Sequence, residues 1–211
     1  MRLKFLTVLP ILALFFSLIP VTSGATRPPD FRPISEAHWP QDQNLDIAWK
    51  GSWEQTHEAN MKRWTEQINK EGGSKEQRQR RIRYRRFRLL QALIDRYPKE
   101  QAKRIEAYRT MADLVGQIGY RQNTYHYHKR IVDELPGRFA QAVAELREIA
   151  RRASGSRRRD WAWAEYAAER ILALRRAGAI ESSHPAVDEA LRAHIDAAVA
   201  RGELFKARQL L

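Results

Sequence analysis

The sequence predicts an all-α protein, an array of antiparallel helical hairpins, and three observations predict it. Alanine, leucine, glutamate, glutamine and arginine dominate the second half and β-branched runs are nearly absent, the composition of strong helix formers. From Trp53 onward, apolar residues recur at three- and four-residue spacing, the mark of helices with a buried face. The stretch from Phe87 to Pro136 is punctuated by Tyr97-Pro98, Gly119 and Leu135-Pro136. Proline cannot continue a helix and glycine supplies the left-handed residue that ends one, so the stretch reads helix, turn, helix, turn, helix.

Residues 1–25 have the anatomy of a secretory signal peptide. Arg2 and Lys4 form a basic head, Phe5 to Ile19 an apolar run of about fifteen residues, and Val21 to Ala25 a small-residue segment with Ser23 and Ala25 at cleavage-like spacing. A membrane span needs about twenty apolar residues, and Pro10 and Pro20 bracket this run. The expectation is export to a periplasmic or extracellular location, with no membrane span after the signal is removed. The chain has no cysteine, which excludes disulfides, thiol catalysis, zinc–thiolate sites and a lipid on an N-terminal cysteine. Loss of Arg2 and Lys4 lowers the formal charge from +13 to +11. Outside the cytoplasm such a balance favours anionic lipid, acidic polysaccharide or an acidic protein face over nucleic acid.

Residues 26–50 read as an extended arm. Arg27-Pro28-Pro29-Asp30-Phe31-Arg32-Pro33 and Trp39-Pro40 forbid helix, and Phe31, Trp39, Trp49 and Trp53 recur along it. The arm either packs its aromatics on the first helices or docks a partner. Residues 51–211 form the helical-repeat domain. Its first helix carries Trp53, His57, Met61, Trp64 and Ile68 and stops at Gly72-Gly73. Ser74 and Gln77 then have the form of a capping box opening a helix to Tyr97.

That helix begins with an unusual run, Arg78 to Arg88, in which seven of eleven residues are arginine. Arg78, Arg81, Arg85 and Arg88 share a face opposite Leu90, Leu93, Ile94 and Tyr97, whereas Arg83 and Arg86 fall on the apolar side. Cations oppose the dipole at a helix N-terminus and like charges repel at i,i+4, by a few tenths of a kcal/mol each. Either carboxylates of the preceding helix (Glu54, Glu58, Glu66, Glu71) offset this, or an external anionic partner does.

A helix from about Glu100 to Ile118 is apolar on two sides, as an interior member of an array would be. Tyr120, Thr124, Tyr127, Ile131 and Leu135 make one stripe, and Phe139, Ala142, Val143, Leu146, Ile149, Ala150 and Ala153 another. Ser154-Gly155-Ser156 breaks it before a second basic cluster, Arg157 to Arg159. Asp160 is placed to cap the next helix, with Trp161, Ala164, Ala168, Ile171 and Leu172 inward as far as Gly178. Pro185 suits a first helical position, with Val187, Leu191, Ile195, Ala198 and Val199 inward and Gly202 as the stop. Leu204, Phe205, Ala207, Leu210 and Leu211 begin a last helix.

Pro98, Pro136 and Gly178 close second helices about forty residues apart, the period of helical-hairpin solenoids. The middle unit carries Tyr108, Ala112, Gly119-Tyr120, Tyr127 and Pro136, and the last carries Leu191, Gly202, Leu204, Ala207 and Leu211. Over residues 76–211 these resemble the tetratricopeptide repeat family, including exported members of the outer-membrane-assembly lipoprotein type. Asn123 and Arg130 depart from it, standing where the family has small alanines, and no cysteine follows the signal to carry a lipid. The resemblance implies a right-handed, TPR-like α-solenoid whose concave surface binds peptides or proteins, and it implies no chemistry.

No motif for catalysis, cofactor or metal stands out. His38, His57, His126, His128, His184 and His194 include no HExxH arrangement and no pair at i,i+4, and His126 and His128 point about 200° apart on a helix. There is no phosphate-cradling glycine loop and no nucleophile elbow. The sequence therefore leads to a non-catalytic scaffold binding an envelope protein or peptide. The alternatives are a binder of anionic polymer or membrane surface through Arg78, Arg81, Arg85 and Arg88, and the non-catalytic N-terminal part of a longer cell-wall enzyme.

Overall fold

The computed structural model describes residues 45–135, 137–155 and 160–210. The expected signal peptide, the expected arm before Leu45 and the cluster Arg157 to Arg159 lie outside the described residues. Among those described are eight helices and no strand: α1 Trp53–Glu71, α2 Lys75–Arg96, α3 Gln101–Gln117, α4 Arg121–Asp133, α5 Phe139–Gly155, α6 Trp161–Arg176, α7 Pro185–Ala200 and α8 Leu204–Leu210. None is long and apolar enough to cross a membrane. The described residues fall into two compact units, 45–130 and 131–210.

In the N-terminal unit α1 packs on α2 and α2 on α3. Ser52 caps α1 by accepting from Gln55 N, and Gly72 and Gly73 end it at φ 77° and 99°, values a side chain would resist. The capping box at α2 is present in both directions: Gln77 N donates to Ser74 Oγ at 3.1 Å and Ser74 N to Gln77 Oε1 at 2.9 Å. The buried stripe of α1 is Trp53, Thr56, Asn60, Trp64 and Ile68. The expected members His57 and Met61 are only half-buried, because the stripe turns through two polar residues that have a use described below.

Helix α3 buries residues on two sides, as expected: Ile105, Tyr108, Ala112 and Val115 on one, Met111 and Leu114 on the other. Helix α4 comes close to it at Gly116, where an added Cβ would stand 3.3 Å from Thr124 Oγ1. Thr124 Oγ1 also donates to Ala112 O at 3.2 Å. Tyr127 of α4 stacks on Tyr108 and meets Phe87 of α2 edge-on. The single stripe expected of α4 is too narrow, since Asn123, Tyr125 and His128 are buried as well.

In the C-terminal unit α6 lies between α5 and α7, α7 packs on α8, and α5 also touches α7. Six consecutive residues of α6, Trp163 to Ala168, are buried, so it is covered nearly all round, and its alanines let the neighbours approach. Asp160 is the N-cap of α6 by position, but its side chain makes no capping bond. Pro185 does open α7, and His184 caps it by accepting from Ala186 N through Nδ1 at 3.2 Å. Val199, expected inward, is 50 % exposed, and Leu204 and Phe205, which begin the last helix as expected, are 66 % and 76 % exposed. Among the described residues the seven-residue α8 packs on α7, and Ala207 is its buried residue.

Candidate functional site

The four arginines expected to share a face opposite the leucine stripe are divided by the packing of α1 on α2. Arg78 is half-buried, and its Nη1 donates to Gly73 O just before the helix. Arg81 pairs with Glu71 at the end of α1. Arg85 is buried, its guanidinium 5.8 Å from the Trp64 ring centre and its Nη1 3.2 Å from Gln67 Oε1. Arg88 is exposed, with Nη1 3.4 Å from Tyr84 Oη. Gln67 passes a hydrogen bond on to Glu71 at 2.8 Å, so Arg85, Gln67, Glu71 and Arg81 form one chain across the α1–α2 seam. The hydrogen bond from Arg81, then that from Gln67, holds the Glu71 carboxyl below its ordinary pKa. Of the offered carboxylates Glu71 answers the arginine run, whereas Glu54 pairs with Lys103 of α3 at 2.8 Å. Arg83 and Arg86, placed on the apolar side by the wheel, are half-buried, and Arg86 Nε is buried without a hydrogen-bond partner.

A second site sits on the same hairpin. Residues 46–50, the described end of the arm, run antiparallel along α1 and contact it at every second residue. Lys50 N donates to Thr56 Oγ1 at 2.9 Å, and that hydroxyl donates to Lys50 O at 3.4 Å. Ala48 N donates to Asn60 Oδ1 at 2.9 Å, and Asn60 Nδ2 returns a bond to Ala48 O at the same distance. Arg63 reaches both the carboxylate of Asp46, at 2.8 Å, and its carbonyl. Asn60 is 0 % exposed and saturated, because Nδ2 also bonds Thr56 O and Oδ1 also accepts from Arg63. Tyr97 Oη donates to Lys50 O at 3.3 Å, and Arg96 lies 5.8 Å over the Trp49 ring. Next to Arg63, α1 carries an open, shallow hollow of about 490 Å³ lined by Arg63, Glu66, Gln67, Lys70 and Glu71.

The C-terminal unit holds a buried charged cluster. Glu165 of α6 is 0 % exposed, and its Oε1 accepts from Arg201 Nη2 at 2.5 Å and Lys206 Nζ at 2.6 Å. His194 Nε2 of α7 lies 3.4 Å from the same oxygen and 3.5 Å from Glu169 Oε1. Burial pushes the Glu165 carboxyl up, but hydrogen bonds from Arg201 and Lys206 outweigh it, so its pKa stands below the ordinary value. Burial lowers the His194 pKa against the pull of Glu169 and Glu165. Both His194 nitrogens and Glu165 Oε2 are buried without a hydrogen-bond partner. Ligand atoms of Glu165, Glu169 and His194 lie within 4.8 Å of one another, a spacing a metal ion would accept. The Lys206 ammonium, 2.6 Å from Glu165 and 3.9 Å from Glu169, stands where such a cation would sit. Two carboxylates against Arg201 and Lys206 balance in charge, so the arrangement acts as a clasp fastening the end of α7 and α8 to α6.

Sequence reasoning missed both Asn60 and the clasp. Asn60 falls at i+4 from Thr56 and i−4 from Trp64, inside the true stripe, but a polar residue there reads as surface until its partner is seen. Glu165 and Glu169 are an i,i+4 pair, the one signal for the clasp, yet His194, Arg201 and Lys206 join them only through tertiary packing. Of the other described histidines His128 is buried and His126 half-buried, in keeping with their divergence on α4. No protein-family model matches the chain, and no curated protein or solved structure does either.

Proposed function

We propose that the chain is an exported, non-catalytic scaffold of stacked helical hairpins that binds an envelope protein or peptide, in the manner of tetratricopeptide-like arrays. The observation that carries this reading is the α1 groove, where side chains of a helix hold a stretched segment by its main chain. The contact of α5 with α7 as well as α6 supports it, since first helices of successive hairpins touch in a stacked array. A polyanion-binding role for Arg78, Arg81, Arg85 and Arg88 ranks second, because Arg81 and Arg85 are engaged within the hairpin.

Immobilised mature chain, challenged with envelope extract at low and at moderate salt, tests the choice. A packed protein or peptide contact keeps the same captured partner at both ionic strengths. Loss of all capture at moderate salt, matched by loss in a variant with the four arginines replaced by glutamine, overturns it in favour of the polyanion reading.

A further inference from the structure

The α1 groove treats residues 46–50 as it would a ligand. Seven residues of helix from Thr56 to Arg63 cover about 10.5 Å, and four residues of chain from Asp46 to Lys50 reach at most about 13 Å, so an extended segment spans the three contacts. Its bonds at 46, 48 and 50 go to main-chain atoms, which any sequence offers. Sequence enters at two points: the Asp46 carboxylate on Arg63, and the Trp49 ring under Arg96. Trp49 remains 45 % exposed, so the aromatic rests on the rim and is not part of the core. One further helical step past Arg63 brings Gln67, then Lys70 and Glu71, and these line the open hollow.

We propose that the α1 groove is a reader of stretched main chain, with residues 46–50 as its resident and displaceable occupant. The external ligand it fits is an extended peptide with an acidic residue two places before a small residue and an aromatic directly after it. The inference rests on the peptide-binding reading above and gives that reading a site, a ligand pattern and a gate. Only Gly51 and Ser52 separate the segment from α1, so tethering gives it an effective concentration of at least about millimolar. A free peptide of equal quality therefore loses to it, and the groove opens when the segment is weakened or pulled away.

The test uses the full mature chain and a fluorescent peptide of the sequence Leu45 to Lys50, followed by anisotropy. Asp46→Ala with Ala48→Pro releases the resident segment, since proline removes the N–H that Asn60 reads. The released chain should bind the peptide at least about tenfold more tightly than the wild type, as expected when a tethered competitor is lost. Added Asn60→Asp, which keeps the shape and loses the amide donor, should abolish binding. Should that variant fail to fold by circular dichroism, Arg63→Gln, at a partly exposed position, replaces it. It should weaken the Asp-containing peptide more than an Asp-to-Asn peptide, because the bond to the main-chain carbonyl is lost for both and the bond to the carboxylate for the first alone. If the released chain binds no peptide while the wild type still captures its envelope partner, the groove inference is overturned and the scaffold reading stands. If neither binds, both fall.

Discussion

Asn60 in the N-terminal unit and Glu165 in the C-terminal unit are both wholly buried, yet their surroundings differ in kind. Asn60 is neutral, and all four of its hydrogen-bonding positions are filled, two of them by the main chain of Ala48. Glu165 is charged, with one oxygen shared by two cations and the other without a partner beside an imidazole that also lacks one. A filled network around a neutral amide contributes specificity without a buried charge at its centre, whereas a charged cluster with orphan atoms makes local stability depend on every member and on protons. The first arrangement suits a surface meant to hold chain. The second suits a fastening.

The largest effect should follow from Glu165→Gln. It leaves Arg201 and Lys206 facing an amide at a site where Glu165 has no exposure, and should cost about 2–4 kcal/mol. Arg201 and Lys206 are about a third exposed and can turn to water, which keeps the loss from the upper end of that range for buried pairs. Urea unfolding should show a lower midpoint at unchanged slope. Replacing Glu165 by Met and His194 by Leu together should recover much of the loss, since no buried ionisable group then remains without a partner. Asn60→Ala should cost less, about 1–2 kcal/mol, because the Ala48 main chain it orphans lies near solvent. Equal losses at the two positions would erase the contrast.

A smaller effect concerns pH, and it has the same sign in both regions. Burial depresses the folded pKa of His194, so between that value and the unfolded value near 6.5 the unfolded chain binds more protons. Stability is therefore complete above pH 6.5 and falls as the pH drops through that window, by at most about 1.4 kcal/mol per pH unit for a single group. His57 is lowered too, by burial and then by Arg86, and adds a slope of the same sign in the N-terminal unit. Below that, the depressed Glu165 carboxyl holds its contribution above about pH 4.5 and loses it as the pH falls toward its folded value. Chemical denaturation at pH 7.5 and 5.5 should show a shallower loss for His194→Leu than for the wild type. A wild-type profile flat over that interval would remove the imidazole from the account.

Helix type and placement were readable from the sequence because stop signals and caps act locally. Ser74 and Gln77 need only each other, and Pro185 needs only its own ring. What each face touches was not readable where tertiary packing decides it. The wheel puts Arg85 opposite the leucines of α2, but α1 lays Trp64 on that side and buries the guanidinium. Val199, Leu204 and Phe205 keep the helical period and yet face out, because a periodic residue is buried only where another element arrives to cover it. The candidate sites were the least readable part. Asn60 meets a segment twelve residues back, and Glu165 meets Arg201 and Lys206 thirty-six and forty-one residues on.

The smallest and sharpest effect concerns Arg85, the residue whose place the sequence reading missed. The side chain is buried, its guanidinium carbon lies 5.8 Å over the Trp64 ring and its Nη1 bonds Gln67. Lysine keeps the charge but has no plane to lay on the ring and no fork for Gln67, so Arg85→Lys should cost about 1 kcal/mol. Arg85→Met should cost less, since it retains the stem and relieves repulsion from Arg81 and Arg88, which stand four and three residues away on the same helix. A double-mutant cycle with Trp64→Leu should give a coupling of about 0.5–1 kcal/mol for the ring and guanidinium. If lysine were instead as good as arginine and methionine worse than both, charge alone would matter at this position. The run from Arg78 to Arg88 would then be a field waiting for an anion, and the α1–α2 seam would owe its arginines nothing beyond their sign.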